Sequence, residues 1–75
     1  MKIRIYGELT DVFGADNYTI DSAVTVLELK EKLEQIFPEL KNYVYLVVIN
    51  DEITKENNSI PSDAEIALLP PYSGG

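Results

Sequence analysis

The chain contains no cysteine and no histidine. Without cysteine there is no disulfide framework, thiolate nucleophile or cysteine-type zinc site. Without histidine the commonest general base and metal ligand is gone. Catalysis near neutral pH would have to run on carboxylates, lysine or tyrosine. Cations are also scarce: 6 Lys and Arg stand against 13 Asp and Glu, for a net charge of -7. Nucleic acid and anionic membrane are poor partners for such a chain, because both are bound through basic patches. A basic surface on another protein is the natural complement, and the same charge keeps a small protein soluble. No apolar run approaches membrane-spanning length, and the start, Met1-Lys2-Ile3-Arg4-Ile5-Tyr6, lacks the apolar segment of a secretion signal. A cytoplasmic location is expected, and the glycosylation-like triplets at Asn17 and Asn57 are then chance matches.

At 75 residues the chain is one domain with a modest core. Such a domain presents a surface or a tail more readily than a deep private pocket. Lys2 to Tyr6 alternates polar and apolar residues, as a half-buried strand does. Gly7 breaks it. Leu9, Val12 and Phe13 fit a short helical turn closed by Gly14. Asn17 to Ile20 reads as a second strand, giving an N-terminal hairpin. Thr25 with Glu28 forms a capping box at the start of the main helix. Val26, Leu29, Leu33, Ile36, Phe37 and Leu40 make its apolar stripe, and Leu27 lies off it. Glu28/Lys32 and Lys30/Glu34 are predicted as ion pairs one turn apart on the solvent side. Pro38 stops or restarts the helix.

The run Tyr43 to Asn50 is apolar on both faces and is predicted in the middle of the sheet. Asn50-Asp51-Glu52 is a turn, and Ile53-Thr54 a short strand. Lys55 to Ser59 is a polar loop, and Pro61-Ser62-Asp63 a second turn. Ala64 to Leu69 is the last strand, with Ile66 and Leu68 on one face. Which of Leu68 and Leu69 is core stays open, as does the cover over the outward face of Tyr43 to Asn50: a partner subunit or loops of this chain. Pro70-Pro71 ends the strand, because proline donates no ladder hydrogen bond. The order predicts an α+β fold of the β-grasp (ubiquitin-like) pattern: a mixed sheet of four to five strands with one main helix on one face. In that pattern the first and last strands are parallel neighbours at the centre. Residues 1–71 are read as this domain and 72–75 as a flexible tail.

The tail is Pro70-Pro71-Tyr72-Ser73-Gly74-Gly75. Two prolines favour extended polyproline geometry and hold the end away from the body. Gly74 and Gly75 carry no side chains and fit a narrow channel. A diglycine end suits a carboxylate delivered into another enzyme's active site. The alternative is a frayed end without function. Tyr72 is either an aromatic anchor for a partner groove or a solvent-facing ring. Asp11, Asp16 and the Asp51/Glu52 pair lack the spacing of a calcium loop, and Gly7 and Gly14 precede no phosphate-loop lysine. No metal site is expected.

The segment from Asp63 to Gly75 resembles the end of the small subunit of molybdopterin synthase, a ubiquitin-related sulfur carrier. That family closes with an acidic turn, an apolar strand, two prolines, two variable residues and two glycines. The layout of the rest of the chain fits it too, though only the tail is specific. The resemblance implies that a ubiquitin-activating-like adenylyltransferase uses ATP to adenylate Gly75, and that a sulfur donor protein then leaves a thiocarboxylate there. The chain would bind no cofactor itself. Tyr72, Ser73 and Gly74, with Pro70 and Pro71, would deliver Gly75 into the large subunit of a heterotetramer. Sulfur would pass to a pyranopterin precursor of molybdenum cofactor. Catalytic side chains would sit on the partner, which leaves open whether this chain alone counts as an enzyme. The alternatives are a carrier for thiamine thiazole or tRNA thiolation, and a ubiquitin-like modifier joined through Gly75 to a lysine.

Overall fold

The computed structural model describes residues 1–71. Five strands form one mixed sheet: β1 Lys2–Ile5, β2 Asn17–Thr19, β3 Leu46–Ile49, β4 Glu52–Ile53 and β5 Ile66–Leu69, in the spatial order β2-β1-β5-β3-β4. β1 pairs antiparallel with β2 and parallel with β5, and β5 pairs antiparallel with β3. This is the expected β-grasp arrangement, with the last strand at the centre.

Alternation along the strands sends Ile3, Ile5, Val47, Ile49, Ile66 and Leu68 inward. They meet Val26, Leu29 and Leu33 of helix α2 (Val26–Ile36) and Leu9 and Phe13 of helix α1 (Leu9–Phe13). Gly14 ends α1 in left-handed geometry (φ 72°), its N–H donating to the Thr10 carbonyl at 2.8 Å. The Thr25 hydroxyl accepts from the Glu28 N–H at 3.2 Å, as the capping box predicts. The Glu28 carboxylate reaches one residue further back than expected and accepts from the Val24 N–H at 2.6 Å. The first two N–H groups of α2 donate to carbonyls of Asn58 and Glu56, so the polar loop after β4 caps the helix.

Neither predicted ion pair along α2 forms. Lys32 turns to the Asp21 carboxylate at 3.5 Å and donates to the Ser22 carbonyl. Lys30 pairs with Glu56 at 3.2 Å, and Glu34 takes the Tyr45 hydroxyl at 2.6 Å. An exposed pair one turn apart contributes only about 0.2–0.5 kcal/mol, so partners fixed by the fold displace it. Ile36, expected in the apolar stripe, is 49% exposed. The helix ends there, and Phe37 leaves helical geometry to stack 4.5 Å from Phe13 and 5.1 Å from Tyr18. A 3-10 turn over Pro38–Asn42 then returns Leu40 to the core.

The run Tyr43 to Asn50 is also corrected. Only Leu46–Ile49 is strand, and it lies one place from the sheet's centre, with the two-residue β4 outside it. Its outward side chains stay half-exposed and Val44 is 71% exposed, because the helix covers one face of the sheet and not both. Asn50 and Asp51 both take positive φ (50° and 68°) in the two-residue hairpin to β4, where a left-handed turn matches the strand twist.

Burial and the Glu34 carboxylate push the Tyr45 hydroxyl far above the ordinary tyrosine range. A raised folded-state value contributes stability that is whole below about pH 10, the unfolded value, and is lost as pH rises beyond it. Urea unfolding should therefore show stability falling above pH 10 by up to about 1.4 kcal/mol per pH unit from this group. Tyr45→Phe should remove that component of the slope.

Candidate functional site

The parallel pairing of β1 and β5 decides where the chain after β5 leaves the sheet. Ile3, Arg4 and Ile5 stand opposite Ile66, Ala67 and Leu68. The Tyr6 N–H donates to the Leu68 carbonyl at 3.1 Å, carrying the pairing one step past β1. The same register brings Gly7 opposite Pro70. Gly7 has φ 61°, in the left-handed region. A Cβ placed on Gly7 would lie 2.8 Å from Pro70 Cγ and 3.2 Å from Cδ, so the proline ring rests on glycine backbone. The Gly7 carbonyl accepts from the Thr10 N–H (3.1 Å) and hydroxyl (2.8 Å), which fixes the turn into α1.

Of the predicted tail residues, the structure places Pro70, half-buried, and Pro71, exposed. Tyr72, Ser73, Gly74 and Gly75 lie outside the described residues. Leu68 is wholly buried under α2 and Leu69 faces outward, which settles the choice the sequence left open.

The outward sheet face surrounds this exit. Register aligns Asn17, Arg4, Ala67, Val48 and Ile53 in one row across the strands. Leu69 and Leu46 form the next row toward the tail, with Tyr6 beside them. Ile53 is 69% exposed and Tyr6 42%. Leu46, Val48, Ala67 and Leu69 are half-exposed. These apolar side chains gather on the sheet face without a helix, next to Pro70 and Pro71, the last described residues. An open groove of about 460 Å³ runs along Lys2, Arg4, Ala67 and Val48, with Asp51 and Glu65 at its rim. No group of three potential metal ligands converges among the described residues. No described helix is long and apolar enough to cross a membrane.

The sequence points to an outward apolar face at Tyr43 to Asn50 and at one of Leu68 and Leu69 and leaves its cover open, whereas the Gly7 seat is not read from it. In the sequence Gly7 reads as a strand breaker. The signal was present in the expected parallel pairing, which, once its register is known, sets Gly7 against Pro70.

The fold and the central exit of its last strand define a ubiquitin-like β-grasp protein. Residues 3–75 match the ThiS family model, and the chain belongs to the ThiS family. It is 33% identical to the molybdopterin synthase sulfur carrier subunit of Dictyostelium discoideum, over 99% of this chain and 94% of that protein. It is also similar to a chain of the complex of subunits 1 and 2 of molybdopterin-converting factor from Helicobacter pylori (TM-score 0.70, 27% identity, 99% of this chain and 96% of that one). SAMP1 of Haloferax volcanii, a small archaeal modifier protein, shares the fold (TM-score 0.80, 23% identity, 99% and 97% coverage).

The facing of the last strand has a direct check. Leu68→Ala should cost about 2–5 kcal/mol in urea unfolding, as buried leucine truncations do. Leu69→Ser, on the outer face, should cost roughly 1 kcal/mol or less.

Proposed function

We propose that this chain is a sulfur carrier, acting as the small subunit of molybdopterin synthase through Gly75. The observation that carries the reading is the diglycine end launched from the central strand of a ThiS-family fold, beside an exposed apolar face. The 33% identity to a curated sulfur carrier subunit supports the choice of acceptor.

The chemistry follows from the leaving groups. A carboxylate is a poor electrophile. Its oxygen attacks the α-phosphorus of ATP, pyrophosphate departs, and the resulting acyl-adenylate is a good one. A sulfide-level donor then displaces AMP at the acyl carbon and leaves a thiocarboxylate on Gly75. Sulfur is held covalently at the terminus, so the chain needs neither cysteine nor a bound cofactor. Gly75 is carrier and substrate, and acid-base groups belong to the partners. An adenylyltransferase of the ubiquitin-activating class, a sulfur donor protein and the large synthase subunit are the partners this scheme requires. A heterotetramer with the large subunit and a cytoplasmic setting complete it.

The outer sheet face is the docking surface of this scheme. Its apolar rows would cover the partner's rim while the tail enters the active site. The net charge of -7 favours a basic surround on the partner and fast, salt-sensitive encounter.

The test is the intact mass of the untagged chain after incubation with ATP, an activating enzyme and a sulfur donor. Replacement of one terminal oxygen by sulfur, abolished by deleting Gly75, is the expected result. An unmodified carboxylate under those conditions removes the reading, and an isopeptide bond from Gly75 to a lysine would establish a modifier instead. Val48→Glu should fold normally yet weaken binding of the large subunit at least tenfold in calorimetry, because it sets a charge in the middle of the apolar row.

A further inference from the structure

We infer that Gly7 is a positioning residue for the tail: its bare backbone seats the ring of Pro70 and so sets the direction in which the chain carrying Gly75 leaves the sheet. The inference rests on the sulfur-carrier reading and adds a part of the body to it. Gly7 lies outside the predicted tail and touches no reacting atom.

Three observations combine. Gly7 sits at φ 61°, where side chains are disfavoured, and the space a Cβ would need is taken by Pro70 Cγ at 2.8 Å. A proline ring cannot swing clear by changing rotamer, because Cδ is bonded to its own backbone nitrogen. Beyond what a change of ring pucker absorbs, a side chain at position 7 therefore presses on the backbone of residue 70. The seat itself is held from both sides. The Tyr6 N–H bonds the Leu68 carbonyl, and Thr10 bonds the Gly7 carbonyl twice.

Gly14 supplies the contrast. It has nearly the same backbone geometry, φ 72°, but nothing lies within 4 Å of a Cβ built there. Left-handed geometry alone would explain a glycine at either position. Only at Gly7 is the missing side chain also room for the tail. Ordinary carbon contacts begin near 3.5 Å, so a Cβ at 2.8 Å displaces Pro70 by somewhat under about 1 Å. Passed on through the stiff Pro70-Pro71 pair toward Gly75, a misplacement of that size far from the chemistry lowers rates by up to about two orders of magnitude.

The experiment is steady-state adenylation by the activating enzyme, followed by pyrophosphate release, with thermal unfolding of each variant alongside. Gly7→Asn is the main variant, because asparagine tolerates positive φ and so adds the Cβ with little backbone strain. Gly14→Asn is its control. Pro70→Ala removes Cγ and Cδ and abolishes the seat from the other side. Expected are losses in kcat of roughly tenfold for Gly7→Asn and for Pro70→Ala, with KM within twofold, since the docking face is untouched. The double variant should lose no more than the worse single, and Gly14→Asn should match wild type. A merely structural role would lower the melting temperature without a selective loss in kcat. The inference fails if folded Gly7→Asn turns over at the wild-type rate, or if the two losses multiply in the double variant. Should Gly7→Asn not fold, wild-type kcat in Pro70→Ala overturns it equally. A wild-type chain that the enzyme never adenylates would remove the sulfur-carrier reading itself, a result distinct from either failure.

Discussion

Strands β1 and β5 lie side by side and run in the same direction, although they stand at opposite ends of the sequence. A parallel neighbour cannot be made by a tight turn; it needs a crossover, and α2 with its flanking segments provides one. Almost everything else depends on that pairing. It closes the core, since Ile3, Ile5, Ile66 and Leu68 form the sheet's inner floor beneath α2. It also brings Pro70, near the end of the described chain, to the end of the sheet where β1 turns into α1. A tail leaving from a central strand is held by neighbours on both sides, so the body fixes its origin.

The helix covers one side of this sheet, and the consequences run through the molecule. Side chains on the covered side are packed to near-complete burial. Those on the other side have no helix over them: one row runs from Asn17 and Arg4 to the apolar Ala67, Val48 and Ile53, and the next is Leu69 and Leu46. The proposed function uses the one face and the one terminus together: docking through the rows and chemistry at Gly75. The acidic charge is carried mostly elsewhere. Arg4, by contrast, lies within the outer row itself.

Much of this was legible in the sequence for physical reasons that can be named. The capping pair Thr25 and Glu28, the glycine at 14 and the alternation of Ile3 and Ile5 are local signals, and each appears where it was read. The errors have a common cause as well. Lys30 and Lys32 found partners that are distant in sequence, Glu56 and Asp21, which no helical spacing could reveal. Ile36 was assigned by extending a helical stripe past the point where Phe37 turns toward Phe13 and Tyr18. The run from Tyr43 looked doubly buried because apolar residues on two faces look the same whether the second face meets a helix or a partner.

By itself, then, the sequence determined the elements, their order and the glycine terminus, because capping, alternation and chain-end chemistry depend on residues near one another. Composition also set which functions to expect least, since a chain without cysteine or histidine and with few cations is short of the groups they use. Tertiary structure decided what depends on residues far apart. It put Leu68 inside and Leu69 outside, gathered Val48, Ile53 and Leu46 into one exposed face, and laid Pro70 on Gly7. Those outcomes follow from strand register, and register is set by packing across the whole sheet.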